Sequence, residues 1–299
     1  MSGHIQVKAW PAPGKLNLFL HITGRRHDGY HLLQTVFQFI NHCDWLTFTL
    51  RYDGIIQSTA TSNHAVAPEH DLTVRAARLL QCHVASSHGV DIHLDKRLPM
   101  GGGLGGGSSD AATTLVALNQ LWGLHLPLEQ LAVLGLQLGA DVPVFIHGQA
   151  AWAEGVGEVM TPVTLPEPWY LVMVPPCHVS TAEIFSAPEL TRDAPALTIE
   201  GFLSVLEMAS GDFAWGGSNV CEPVVCWRYP PVAEALAWLR GYADTAGARM
   251  TGTGACVFAA FADESAAHRA MRQMPAAMQG FVAQGMNRSP LYALDRDES

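Results

Sequence analysis

The sequence predicts a two-domain α+β protein, and three observations carry that reading. With 299 residues and 48% hydrophobic content, the chain can bury a substantial core and is long enough for two domains, one large domain being the alternative. Its first half alternates short β-rich runs with helix-periodic segments. After about residue 155 the texture changes, with breaks at Pro162, Pro166, Pro168, Pro175 and Pro176. A boundary near residue 156 is expected, separating 1–156 from 157–299.

In chain order, residues 5–10 and 16–22 read as strands. Between them Pro11, Pro13 and Gly14 fix an extended entry, and Lys15 and Asn17 then share one strand face at period two. Residues 45–52 and 90–94 are further strands, and residues 71–83 a helix. A helix over 108–121 starts where a glycine run gives way to Ser108, Ser109 and Asp110. Leucines at helical spacing predict another helix over 128–138, ended by Gly139. Asp141 then sits beside that helix's C-terminus, a poor place for a negative charge, and before an apolar strand-like run. Residues 169–174 form a buried-type strand, helices and short strands alternate to the end, and 295–299 are expected to fray.

The segment 99–112 carries the most chemistry. Six of the seven residues 101–107 are glycine, so backbone amides lie open to a ligand. A glycine loop entering a helix N-terminus is an anion site, because unpaired N–H groups and about half a positive charge converge there. The loop lacks the Lys-Ser/Thr of a Walker motif, and the chain lacks the HRD and DFG elements of protein kinases. Gly101, Gly103 and Gly106 match GxGxxG, but the acidic residue expected about 20 positions on is missing from Leu118-Asn119-Gln120-Leu121.

Charge narrows the partners. A net charge of −10 argues against a nucleic-acid groove or an anionic membrane surface. A phosphate site must therefore be made positive locally, and two of the three lysines, Lys15 and Lys96, fall in chemistry-bearing segments. No apolar run approaches the roughly 18 residues that span a bilayer, and no signal peptide is visible. Six scattered cysteines without a CxxC pair fit reduced thiols in the cytoplasm. Fourteen histidines show no HExxH or Cys₂His₂ spacing, so no protein metal ligand is expected. A second glycine loop, Thr251-Gly252-Thr253-Gly254, precedes a strand-like run and is a turn or a second phosphate- or substrate-approach loop.

Five segments together resemble the GHMP small-molecule kinases over nearly the whole chain. They are 13–18, Arg26-His27-Asp28-Gly29-Tyr30-His31, 99–112, 138–143 and 252–255. The Asp-Gly-Tyr-His element resembles the branch acting on a cytidine diphosphate-linked polyol in non-mevalonate isoprenoid precursor synthesis. The resemblance implies an N-terminal ribosomal-protein-S5-domain-2-like domain, a C-terminal ferredoxin-like domain and an active site in the cleft between them. It also implies transfer of the γ-phosphoryl group of ATP, with Mg²⁺, to a substrate hydroxyl.

Under that resemblance Asp141 accepts the hydroxyl proton and Lys15 offsets charge developing on the phosphoryl group. ATP lies over Pro99, Met100, Gly101, Gly102, Gly103, Leu104, Gly105, Gly106, Gly107, Ser108 and Ser109, with Asp71, Leu72 and Lys96 at the adenine. Asp71 stands where the family pattern has asparagine, and as an acid it can accept from adenine but not donate. Asn17, Tyr30, His31, Thr181 and Phe185 hold the cytidyl substrate, with Tyr30 and Phe185 enclosing the pyrimidine. Taken singly, several of these have plainer readings: Phe185 as a core aromatic, Tyr30-His31 as a turn, Lys96 as a solvated strand end. Partners are expected to be limited to this small molecule, with no nucleic acid or membrane, in a monomer or weak homodimer. The alternatives are a homoserine- or mevalonate-type kinase, a dinucleotide oxidoreductase, or a non-catalytic nucleotide sensor. Retention of both Lys15 and Asp141 speaks against the sensor, because binding alone needs no base.

Overall fold

A computed structural model describes residues 8–27, 29–60, 67–208, 217–242 and 246–293. Residues 5–7 of the strand expected over 5–10, the tail 295–299, and Asp28 of the Asp-Gly-Tyr-His element lie outside the described residues.

The first strand, β1 (Ala9–Arg25), runs through Pro11, Pro13 and Gly14 into the segment expected as a separate strand over 16–22. The prolines fit because, among the described residues, the Pro11–Pro13 part of β1 ladders to β2 (His31–Arg51) alone, and the register slips between Pro13 and Lys15. An edge position and a bulge are where a residue without an N–H is tolerated. The expected strand 45–52 is only the end of β2. Residues 31–44 escape the apolar signal because Gln34, Thr35, Gln38 and Asp44 interrupt it, yet all four are buried and hydrogen-bonded.

Strand β2 is the hub of the sheet. It pairs antiparallel with β1, β4 (Gly89–Asp95), β5 (Ala151–Glu154) and β10 (Gln279–Met286). Strand β3 (Ile56–Ala60) adds parallel to β4, and β6 (Val159–Pro162) antiparallel to β5. Through β10 the sheet continues into β7 (Trp169–Val174), β9 (Val257–Phe261) and β8 (Ala246–Met250). The C-terminal strand thus ties the two halves of the chain into one hydrogen-bonded surface.

Helices α1 (Leu72–His83), α2 (Gly106–Leu121), α3 (Leu128–Leu136) and α4 (Val142–His147) follow in the first half. Ala111, Leu115 and Leu118 of α2 meet Leu46, Ile92 and Phe145 in one apolar cluster. Helices α5 (Thr181–Ser186), α6 (Ile199–Met208), α7 (Glu222–Arg228), α8 (Pro230–Gly241) and α9 (Glu264–Met271) belong to the second half. A second cluster there joins Leu171, Met173, Val225, Leu236 and Phe261. A third unites Leu16, Leu18 and Phe19 of β1 with Trp152, Tyr170, Phe202 and Phe258, so β1 is buried against both halves. That double burial holds the Lys15 segment rigidly.

One expectation is corrected outright. The run after Asp141 is a six-residue helix, not a strand. Five apolar residues before His147 carry no readable period, and Pro143 at the first turn is pre-set for helix entry. Asp141 therefore stands at the N-cap position of α4, where a helix dipole favours a negative charge.

Candidate active site

A cavity of about 1110 Å³ opens where β1, the glycine loop, the α3–α4 turn and α5 converge. Its volume exceeds the few hundred to about 1000 Å³ of a typical single-ligand pocket, leaving room for two substrates. Lys15, Asn17, Tyr30, His31, Asp71, Leu72, Lys96, Asp141, Thr181 and Phe185 all line it, with residues 99–107 and Ser108. Ser109 does not: its side chain is fully buried in the first turn of α2, with no hydrogen-bond partner for its Oγ among the described residues. Consecutive helix positions point about 100° apart, so Ser108 and Ser109 cannot both face a ligand.

The glycine loop is shaped by backbone, not by side chains. Gly103 has a φ of +78°, and a Cβ there would stand 2.3 Å from the carbonyl oxygen of Thr251. Gly105, also left-handed, caps α2, which starts at Gly106, two residues before the expected start. The Gly101 and Gly102 carbonyls accept from the amides of Ala255 and Cys256, and Lys15 N–H donates to the Leu104 carbonyl. The first glycine loop is thereby laced to the second and to β1. Asn219 Nδ2 fixes the second loop by donating to the carbonyls of Met250 and Gly252 at 2.8 Å each.

Lys15 and Asn17 share one face as expected, but that face is buried. Lys15 Nζ donates to Asn17 Oδ1 at 2.5 Å and to the Gly103 carbonyl at 3.1 Å, and lies 3.4 Å from Asp141 Oδ2. Asn17 is locked in turn by Thr35 Oγ1, to which its Nδ2 donates at 2.9 Å. A buried ammonium is tolerable only with such partners. The result is one cation beneath the glycine loop beside one carboxylate that remains partly open to the cavity.

Lys96 is no solvated strand end. Its Nζ donates to Asp44 Oδ2 at 2.6 Å and to Asp110 Oδ2 at 2.7 Å, almost out of solvent. Burial alone would lower the Lys96 ammonium, but Asp110 and Asp44 outweigh it and raise it. Burial, assisted by Asp44 and opposed by Lys96, holds the Asp110 carboxyl up at about 7. Asp44 Oδ1 accepts from the amides of Arg97 and Leu98 at 2.6 and 2.7 Å, anchoring the strand-to-loop junction. Asp71 caps α1 by accepting from the Thr73 amide at 2.8 Å, a duty that aspartate and asparagine perform about equally.

At the other end of the cavity, His31 and Phe185 stack with ring centroids 5.3 Å apart, while Tyr30 stands 65% exposed. Thr181 at the start of α5 shares a 2.8 Å hydrogen bond with Thr253 of the second glycine loop. Sequence reasoning missed Asp44, Thr35 and Arg192. Nothing local marks them, since each acts through a partner more than a dozen residues away. Asp110 was visible inside the motif, but only the fold reveals its ion pair with Lys96.

Comparison with known proteins fits this geometry. Residues 71–149 match the GHMP kinases N terminal domain and residues 208–280 the GHMP kinases C terminal domain. The chain is 59% identical over 282 residues to the 4-diphosphocytidyl-2-C-methyl-D-erythritol kinase of Nitrosococcus oceani, covering 94% of this chain and 96% of that one. It is 55% identical over 286 residues to the enzyme of that name from Thiobacillus denitrificans, covering 95% and 98%. A crystal structure of a 4-(cytidine 5'-diphospho)-2C-methyl-D-erythritol kinase superposes with a TM-score of 0.80 at 31% identity, covering 93% and 99%. A homoserine kinase from Cytophaga hutchinsonii shares the fold, with a TM-score of 0.68 at 16% identity. Among the described residues no helix is long and apolar enough to cross a membrane, and no three metal-ligating side chains cluster.

Proposed function

The chain belongs to the GHMP kinases, in the group named 4-diphosphocytidyl-2-C-methyl-D-erythritol kinase, and we propose that the cavity transfers phosphoryl from ATP to that cytidyl polyol through Lys15 and Asp141. The acceptor is the 2-hydroxyl, in isoprenoid precursor biosynthesis. The observation that carries the residue roles is the Lys15–Asp141 pair, 3.4 Å apart under a glycine loop in a cavity large enough for both substrates.

The protein's share of phosphoryl transfer is positioning and charge. Backbone amides of the 101–107 loop and the first turn of α2 receive the phosphates. Asp141, carboxylate toward the cavity, accepts the proton of the attacking hydroxyl, a step typically worth about 10²–10⁴ in rate. Lys15, immobilised by Asn17 and the Gly103 carbonyl, offers a fixed positive charge where negative charge grows on the transferring group. Asp71, Leu72 and Lys96 border the adenine end, and Asn17, Tyr30, His31, Thr181 and Phe185 the cytidyl end. The stacked imidazole and phenyl rings support that division, because a pyrimidine needs an aromatic platform.

Mg²⁺ would arrive on the nucleotide, since it keeps waters and uses only one or two carboxylates besides phosphate oxygens. Asp141 and Ser108, whose Oγ lies beside Gly139, are the side chains suited to meet it. When bound, it would supply positive charge that offsets the charge of the phosphates. We assign residues 1–156 to the nucleotide-binding domain and 157–299 to the second. The six unpaired cysteines support a cytoplasmic setting.

Asp141→Asn tests the roles. Turnover should fall by about 10²–10⁴ while ATP binding by calorimetry stays within about threefold. Unchanged turnover would remove Asp141 from the chemistry.

A further inference from the structure

Arg192 follows α5 in sequence and lies outside the cavity lining, yet its guanidinium makes four hydrogen bonds, two of them to the cavity residues Phe185 and His31. Its Nη2 donates to the carbonyls of Phe185 and Ala187 at 3.1 and 2.7 Å, and its Nη1 to that of Leu190 at 3.0 Å. Three carbonyls thus fix the plane of the fork. The remaining edge points at His31, where Arg192 Nε donates to the imidazole Nε2 at 3.1 Å.

Arginine has five N–H donors, no acceptor, and does not lose its proton in a protein. His31 Nε2 must therefore carry a lone pair, and the neutral ring's one proton must sit on Nδ1. Burial first, then Arg192 and Arg25, hold His31 below the usual histidine range, which keeps the ring neutral at neutral pH. The ring is held from its face by Phe185, and Nδ1 meets no partner among the described residues. His31 lines the cavity, so its one unengaged polar atom is an N–H donor of assigned tautomer.

We propose that Arg192 is a specificity-determining positioning residue: by occupying Nε2 it makes His31 a fixed Nδ1–H donor, which pairs with N3 of cytosine and opposes N3–H of uracil. The proposal rests on the reading that His31 and Phe185 hold the pyrimidine of the acceptor. Its chemistry is a donor–acceptor match. Cytosine N3 is an acceptor, whereas uracil N3 carries a hydrogen and would meet a second donor. A site committed to a hydrogen bond rejects the analogue that leaves its polar group unpaired, by far more than shape alone allows.

The test combines a spectrum and a ratio on the full chain. Long-range ¹⁵N–¹H correlation of histidine-labelled wild-type protein should show His31 with a protonated Nδ1 and an unprotonated Nε2. Arg192→Met should release that tautomer and cut by at least tenfold the kcat/KM preference for the cytidine- over the uridine-diphosphate-linked acceptor. Arg192→Lys, which keeps a donor, should retain most of it. The wild-type spectrum needs no variant, so a misfolded Arg192→Met would still leave the inference open to refutation. An Nε2–H His31, or full discrimination in a folded Arg192→Met protein with normal cytidyl turnover, would overturn this inference alone. Absence of any cytidyl turnover by the wild type would instead overturn the functional reading on which it rests.

Discussion

Replacing Gly103 by alanine puts a single methyl group where the structure has no space for it. The φ of +78° costs a non-glycine residue about 1–2 kcal/mol. The added Cβ would lie 2.3 Å from the Thr251 carbonyl oxygen and 3.1 Å from that of Gly254. Both obstacles are backbone, so no side chain can swing aside, and the loop itself must retreat by about 1 Å. Overpacking of this kind adds about 1–3 kcal/mol. The sum, about 2–5 kcal/mol, corresponds to a Tm lower by roughly 3–8 °C in a chain of this size. The Gly103 carbonyl also accepts from Lys15 Nζ, so the retreat displaces the cation. A misplacement of about 1 Å can cost on the order of 10²-fold in rate. Differential scanning calorimetry and coupled ADP release would measure the two effects. Gly107→Ala is the control: its Cβ would meet only Leu72 Cδ1 at 3.3 Å, within α2. Alanine there should leave Tm unchanged or slightly raised. A Gly103→Ala protein with wild-type Tm and turnover would refute the loop geometry argued above.

Two further outcomes concern the Lys96 and Asp71 side of the cavity. Asp110 sits at about 7 in the fold against 3.8 when unfolded, so the folded chain binds more proton between those values. Its contribution is present at about pH 4 and is lost as pH rises through about 7; urea unfolding of Asp110→Asn should show a flatter pH dependence there than wild type. A wild-type slope retained in Asp110→Asn would assign the titration to another group. Asp71→Ala should lower stability by about 1 kcal/mol through loss of the α1 cap, with Asp71→Asn near neutral; equal losses in both would show that the charge matters, not the cap.

Much of this architecture is legible in the sequence because it is written in local signals. Asp71 before a helix, glycines before α2 and the apolar run 169–174 each act within one or two turns of chain. What the sequence hides is set by distant partners. The length of β2 depends on four neighbouring strands, and its buried polar groups are met by distant partners: Gln34 by Glu154, Gln38 by Pro166 and Tyr170, Asp44 by Lys96, Arg97 and Leu98. Helix α4 is too short to have a period, and its true character changes the meaning of Asp141 from a misplaced acid to a well-placed one. Ser109 looks equivalent to Ser108 until helix geometry turns it inward. Lys96 reads as a surface residue because its two counter-charges come from β2 and α2.

The central claim is that this site phosphorylates a cytidine diphosphate-linked polyol. Its most direct test is ADP release by the purified protein with Mg-ATP and 4-diphosphocytidyl-2-C-methyl-D-erythritol, beside homoserine, mevalonate and galactose, with the phosphorylated product identified by ³¹P NMR. The account predicts selective turnover of the cytidyl substrate and a new phosphomonoester at its 2-hydroxyl. Faster turnover of another alcohol, or none by a folded protein that binds ATP, would contradict it.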